Sequence, residues 1–281
     1  MLPIISKKEL LKHLQKLSDN SNLGLVPTMG ALHEGHASLI KKAVLDSEYV
    51  IVTIFVNPTQ FDNPEDLEKY PNTLNKDLEL IHSISPDIMV FAPTIQEIYD
   101  DTVVSNTYDF HGLDKVMEGE FRDNHFNGVG TIVETLLKLT NPKRAYFGEK
   151  DFQQLRIIQK LTKIQEIPVE IVPCPIVRED HGLAMSSRNE RLDSNIRHKA
   201  GLIYSTLKTA KQKFGTKSVP NIKEWVQDIF LSENDLELEY FDITDVETLT
   251  PAKRKQKNIK YRAFIAVYAG GVRLIDNIAL N

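Results

Sequence analysis

The sequence is nearly devoid of cysteine: Cys174 stands alone among 281 residues. No internal disulfide can form, which excludes a disulfide-stapled scaffold and points to a reducing compartment. Long hydrophobic runs are missing too. None nears the roughly 20 residues that cross a bilayer, so no membrane association is expected. Residues 1–17 carry scattered lysines and no apolar core. They lack the pattern of a signal peptide and read instead as an amphipathic helix through Leu10, Leu11, Leu14 and Leu17. An excess of positive charge is also absent. The net charge is −5 and the pI about 5.9, which argues against a general nucleic-acid or anionic-membrane binder. Any anion site must therefore be built locally. There are no internal repeats and no low-complexity tracts. The expected setting is the cytoplasm.

What is present is an ordinary globular balance, 41% hydrophobic and 26% charged. The length exceeds the usual single-domain size, so one larger and one smaller domain are expected. Up to about residue 175, apolar runs alternate with helical patterns. Leu23–Val26 reads as a buried strand, broken by Pro27, Thr28, Met29 and Gly30, and Glu34 to about Leu45 as a helix. Tyr49–Val56 is a near-continuous apolar run, which suits a parallel strand covered on both faces. Helices over 73–84, 127–139 and 151–165 and strands over 87–91, 144–147 and 169–172 continue the alternation. This order predicts an α/β fold with a Rossmann-like, doubly wound parallel sheet.

Beyond Pro173-Cys174-Pro175 the style changes. Helices are expected over 195–214 and 221–231, and strands over 236–243 and 262–268. Gly270-Gly271 turns the last of these back into 272–275 as a hairpin. The expected division is residues 1–175 and a smaller α+β domain, 176–281. The basic run Lys253–Lys260 reads as a solvated loop between strands.

The stretch LGLVPTMGALHEGHASLI, residues 23–40, organises the rest. Strand, glycine turn and helix start bring backbone N–H groups and the positive end of a helix dipole to where an anion docks. His33 and His36, three apart, share one face of the first turn. Gly35 between them clears space for a flat ligand. That pattern reads as a nucleotide-phosphate site. Its plainer alternative is a helix cap or a surface histidine, and H-x-x-H with no third ligand nearby is a poor metal motif.

In a doubly wound sheet, ligands sit beyond the carboxyl ends of the strands. The first strand leads there to Thr28, Met29, His33 and His36, and the second to Asn57, Thr59 and Gln60. The strand ending at Phe147 leads to Gly148, Glu149, Lys150 and Asp151, with Gln153 and Gln154 a turn on. The strand ending at Val172 leads to Val177, Arg178 and Met185-Ser186-Ser187-Arg188. Lys150 can reach a phosphate from its strand-to-helix junction, or pair with Glu149 or Asp151 as a surface lysine. The 185–188 run is either a triphosphate clamp or a polar helix start with Ser187 as cap. Gln60 and Gln154 suit a hydroxy acid or an amide. Arg122 and His125 can meet an acidic group or form a loop salt bridge with Asp123. Cys174, without an activating base among its neighbours, reads as a packed residue.

The motifs PTMGALHEGH, VNPTQF, FRDNHFNGV, FGEKDFQQL and MSSRN, in this order, resemble those of the pantothenate synthetases (pantoate–β-alanine ligases) of the HxGH nucleotidyl-transferring superfamily. The resemblance runs from about residue 23 to 190, and no motif is missing. It implies a ligase that condenses pantoate with β-alanine through a pantoyl adenylate, releasing AMP and pyrophosphate, on the route to coenzyme A. It implies that Met29, Gly30, Ala31, Leu32, His33, Glu34, Gly35 and His36 line the ATP site. Gly148, Glu149, Lys150, Asp151, Val177, Met185, Ser186, Ser187 and Arg188 complete it, with Val177 on the adenine. The catalytic set so implied is His36, His33, Lys150, Ser186, Ser187 and Arg188. Gln60 would hold pantoate and meet β-alanine, and Gln154 would hold pantoate.

ATP chemistry adds a Mg²⁺ bridging phosphates, with no dedicated protein cage for it. The family further implies a homodimer, and because an exposed adenylate would be lost to hydrolysis the second domain, carrying the 185–188 loop, is expected to close over the site as a lid. Three rivals remain. An HxGH adenylyltransferase would stop at AMP transfer. A nucleotide-binding regulator would have no need of two acceptor-side glutamines. A tRNA synthetase sits badly with a short, acidic chain that lacks an anticodon-binding extension.

Overall fold

The computed structural model describes residues 2–18 and 21–281. The chain divides into two compact units. One comprises Met1–Asp114, Glu118–Glu149 and Gln154–Pro175; the other comprises Lys115–Met117, Lys150–Gln153 and Ile176–Asn281.

The first unit runs α1 (Lys7–Leu14), β1 (Leu23–Thr28), α2 (Glu34–Asp46), β2 (Tyr49–Ile54), α3 (Pro64–Glu68), α4 (Leu74–Ile84) and β3 (Met89–Phe91). It continues with α5 (Ile95–Tyr99), α6 (Glu118–Phe121), α7 (His125–Thr140), β4 (Arg144–Gly148), α8 (Phe152–Ile164, of which Phe152 and Gln153 belong to the second unit) and β5 (Glu170–Cys174). Among the described residues, the five strands form one parallel sheet in the order β3-β2-β1-β4-β5. This is the Rossmann-like, doubly wound arrangement expected from the alternation. Both faces of the sheet are covered, which is why its strands are apolar throughout rather than alternating. Val26, Val52, Val90 and Tyr146 pack with Ile40, Ala43 and Ile81 of α2 and α4. Leu25, Ile51 and Ala145, equally buried, point the other way by the period-two rule, and α7 packs against β1. The strand order reverses between β1 and β4, and a crevice at the carboxyl ends of the strands is where such a sheet takes its ligand.

The second unit contains α9 (Ser194–Lys199), α10 (Gly201–Phe214), α11 (Val219–Leu231), β6 (Leu236–Asp245), β7 (Tyr261–Ala269) and β8 (Val272–Ala279). Its strands form an antiparallel sheet, β6-β7-β8, with Gly270 and Gly271 turning β7 into β8. Ile203, Leu207, Ile222, Val226 and Phe230 of α10 and α11 share one core with Phe241, Ala263, Ile265 and Val267 of the sheet.

Three details depart from the sequence reading. Pro27 and Thr28 belong to β1 instead of breaking it. Pro27 is tolerated because the β4 ladder has already ended at Leu25, leaving only the β2 side paired. The polar segment after Asn63 contains a short helix, α3, which Asn63 caps by accepting from Glu65 N–H. The long helix expected over 195–214 is two helices divided at Ala200. Ala200, Ile203 and Leu207 keep one apolar stripe across the division, so periodicity does not register it. Among the described residues no helix is long and apolar enough to cross a membrane.

Candidate active site

Thr28 ends β1 by donating its hydroxyl to the Thr53 carbonyl at 2.7 Å while accepting from Gly30 N–H at 3.2 Å. Gly30 turns the chain at φ +79, and a Cβ there would stand 3.1 Å from Asp77 Oδ2. Ala31 follows at φ +49, a left-handed conformation that costs a residue with a side chain about 1 kcal/mol. Asp77 of α4, 2% exposed, holds it there. Its Oδ2 accepts from Ala31 N–H at 3.0 Å, and its Oδ1 from Leu32 N–H at 2.8 Å and the Thr73 hydroxyl at 3.1 Å.

His33 and His36 complete the turn as a reciprocal cap on α2. His33 Nδ1 accepts from Gly35 N–H at 3.1 Å, and His36 Nδ1 accepts from His33 N–H at 3.4 Å. The ring centroids are 4.1 Å apart. The N–H groups of Gly30, Ala31, Leu32, His33 and Gly35 are bonded within the unit, where they hold the turn. A ring nitrogen that accepts from N–H carries no proton, so each imidazole carries its proton at Nε2. The cap reading and the ligand reading of these histidines are thus compatible, because the cap sets the donor tautomer. Glu34 is exposed, with Lys41 Nζ at 3.8 Å.

Gln60 sits in a tight turn, Pro58–Gln60, after β2. Its Nε2 approaches Met29 Sδ at 3.0 Å, and its Oε1 accepts from Asn57 Nδ2 at 3.1 Å. Asn57 is fixed in turn: it donates to the Gly128 carbonyl at 3.1 Å, and its Oδ1 accepts from Thr59 and Tyr99. Arg122 and His125 converge on the backbone of the same glutamine. His125 Nδ1 lies 2.7 Å and Arg122 Nη2 3.3 Å from the Gln60 carbonyl. Arg122 Nη1 lies 3.1 Å from His125 Nε2; a guanidinium only donates, so His125 carries its proton on Nδ1 and gives it to Gln60. Arg122 also lies 3.7 Å from Glu118. Gly128 lets α7 press against this turn, since a Cβ there would fall 2.2 Å from the Thr59 carbonyl oxygen. Gln154 lies on α8, half-buried.

At the end of β4, Gly148 and Glu149 are half-buried in the first unit, and Lys150 and Asp151 belong to the second. Lys150 Nζ lies 3.5 Å from Asp151. In the second unit, Val177 and Met185 are adjacent, with Met185 N–H donating to the Val177 carbonyl at 3.0 Å. Ser186, and not Ser187, is the cap: its Oγ accepts from Arg188 N–H at 3.3 Å. Ser187 is buried.

The run is held by Asn189, 1% exposed, which donates to Glu179 at 2.8 Å and to the Ala184 carbonyl at 3.1 Å. Arg197 grips Glu179 with bonds of 2.9 and 3.0 Å. Burial would push the Glu179 carboxyl up, but the Arg197 and Asn189 hydrogen bonds hold it below the usual carboxylate range. Arg178 makes a two-pronged pair with buried Asp276, at 2.6 and 2.9 Å. Burial pushes the Cys174 thiol up to about 11, so it is no nucleophile at neutral pH.

Sequence reasoning missed Asp77, Asn189 and Asn277 as parts of this machinery. An aspartate in the first turn of a helix is ordinary helix chemistry, so nothing marked Asp77 as an anchor for a loop 45 residues away. Asn189 was within reach, as the last residue of the MSSRN motif. Among the described residues no group of three or more His, Cys, Asp or Glu could hold a metal ion.

A family model for pantoate–β-alanine ligase matches residues 4–279. A pantothenate synthetase from Christiangramia forsetii is 58% identical over 276 residues, 98% of either chain. One from Flavobacterium psychrophilum is 53% identical over 265 residues, 94% of either chain. Among solved structures, the pantothenate synthetase of Thermus thermophilus matches with a TM-score of 0.90 at 34% identity, covering 100% of this chain and 99% of that one. The pantoate–β-alanine ligase of Francisella tularensis, complexed with beta-gamma ATP and β-alanine, matches with a TM-score of 0.82 at 36% identity, covering 100% and 98%.

Proposed function

The chain belongs to the pantoate–β-alanine ligase family, and from that premise we propose how its residues divide the work. As a member it condenses pantoate with β-alanine, at the expense of ATP, in pantothenate biosynthesis. The carboxylate of pantoate is a poor acyl donor, because oxide would have to leave. In the proposed route a pantoate carboxylate oxygen attacks the α-phosphorus of ATP. The bond to the β-phosphate oxygen breaks, and pyrophosphate departs with that electron pair. The amine of β-alanine then attacks the acyl carbon, AMP leaves, and the nitrogen releases a proton as the amide forms. No covalent enzyme nucleophile is called for.

The protein's task is to aim donors at charge developing on the phosphates and to hold the reactants in line. We assign His33 and His36 to the phosphates through their Nε2–H groups. The observation that carries this assignment is the reciprocal cap, which leaves each imidazole no other site for its proton. Lys150, Ser186, Ser187 and Arg188 join them, with Met29–His36, Gly148–Asp151, Val177 and Met185 lining the nucleotide. Gln60, held by Asn57 and by the backbone grip of His125, takes pantoate and meets β-alanine; Gln154 takes pantoate. Mg²⁺ enters as part of the MgATP substrate, with phosphate oxygens as its ligands.

An acyl adenylate open to water would hydrolyse. That is the reason to give the 176–281 domain, which carries Met185–Arg188, the part of a lid. A homodimer working in the cytoplasm is the remaining part of the reading, on family grounds.

Pantoate-dependent exchange of labelled pyrophosphate into ATP, with Mg²⁺ and without β-alanine, tests the route. Exchange that requires pantoate is the expected result. Its absence where ATP is shown to bind would overturn the adenylate mechanism.

A further inference from the structure

Lys150 is grouped apart from the strand that leads to it. Glu149 belongs to the first unit, whereas Lys150–Gln153 belong to the second. Three contacts fasten the segment there. Asn277 of β8, 2% exposed, donates Nδ2–H to the Lys150 carbonyl at 2.8 Å. Phe152 lies under the Arg262 guanidinium, 3.9 Å from its ring centroid, and 6.0 Å from the Phe264 ring. Gln153 donates to the Val116 carbonyl at 2.7 Å.

The Asn277 amide has one permitted orientation. Arg262 donates to its Oδ1, and a guanidinium has no acceptor, so the oxygen faces Arg262 and the NH₂ faces Lys150. Asn277 N–H is itself taken by Asp276 Oδ1 at 2.7 Å. Asp276 is gripped by Arg178, whose guanidinium lies 3.6 Å from the Tyr204 ring centroid. The donor aimed at Lys150 therefore ends a series of mutually fixing groups, of which Arg262, Asp276 and Asn277 are buried.

A lysine side chain is long and flexible, and its ammonium stays on a target only if the base of the chain is held. We propose that Asn277 is a positioning residue for Lys150, fixing the main chain from which the ammonium reaches the phosphates of ATP. The inference rests on the reading of Lys150 as a phosphate contact. No part of Asn277 need touch ATP.

A double-mutant cycle on the full-length chain tests this, read by pantoate-dependent pyrophosphate exchange. Lys150→Ala is expected to slow exchange about 10²-fold, and Asn277→Ala about tenfold with an unchanged KM for pantoate. In the Lys150→Ala background, Asn277→Ala should then cost less than about twofold, because its effect passes through the missing side chain. An equal cost in both backgrounds would overturn the proposal in favour of a purely structural role. Normal exchange in Lys150→Ala would instead overturn the reading of Lys150, and the inference with it. Should Asn277→Ala fail to fold, Asn277→Asp keeps the Arg262 partner and the volume while losing the donor to Lys150. It is expected to show the same loss and the same dependence on Lys150, and wild-type exchange in it would sink the proposal.

Discussion

In the first unit one buried carboxylate organises the loop after β1, accepting from two successive backbone N–H groups. In the second, guanidinium–carboxylate pairs organise the segment after β5: Arg197 with Glu179 at its middle, and Arg178 with Asp276 at its root. The two devices do the same job with different sensitivities. A carboxylate bonded to main-chain N–H groups constrains the path of the loop whatever its side chains are. An ion pair depends on both partners and on their ionisation, and removing one partner leaves the other charged without its counter-ion in a partly desolvated place.

The largest break in this comparison is expected from Asp276→Ala, which strands the Arg178 guanidinium. It should cost about 3–5 kcal/mol, read as a fall in the urea midpoint followed by Trp225 fluorescence. Trp225 is the chain's single tryptophan and packs on the second unit's core. A loss under about 1 kcal/mol would mean the pair behaves like an exposed one.

Next in size, Asp77→Ala removes the acceptor of Ala31 and Leu32 and should cost about 1–3 kcal/mol. Pyrophosphate exchange should slow by about tenfold or more as the left-handed turn at Ala31 relaxes. Asp77→Asn, which keeps one acceptor oxygen, should fall between. The Trp225 transition is the control. A shift there as large as that of Asp276→Ala would show that the anchors are not local to their units.

The smallest expected effect is one of pH. The folded-state value of Glu179 lies below its ordinary 4.5. Its contribution is therefore present above 4.5 and is lost as the pH falls through the lowered value. The difference in Trp225 midpoint between wild type and Glu179→Gln should be constant near neutrality and shrink on acidification below that range. A difference that grows as the pH falls would reverse the sign assigned to this pair.

The alternation of strand and helix was legible because a sheet covered on both faces writes itself as short apolar runs between helical stripes. The candidate residues were legible because parallel strands all end at one edge. Other features were less visible. Gln60 stood out as a polar residue after β2, but its grip by His125 and Arg122 comes from the start of α7 and the turn before it, over 60 residues away. The division of α9 from α10 leaves no mark on an unbroken apolar stripe. Pro27 reads locally as a strand breaker, and only the missing β4 ladder beside it makes it a strand residue.

By itself, then, the sequence determined the fold class, the family and the residue types at the strand ends, since these follow from periodicity and from short motifs read along the chain. The tertiary structure decided which nitrogen of His33, His36 and His125 carries the proton, that Asp77 spends its carboxylate on the loop, and that Lys150 is fastened by Asn277. Those are hydrogen bonds between residues far apart in sequence, where the orientation of one polar group is set by a partner that no local pattern predicts.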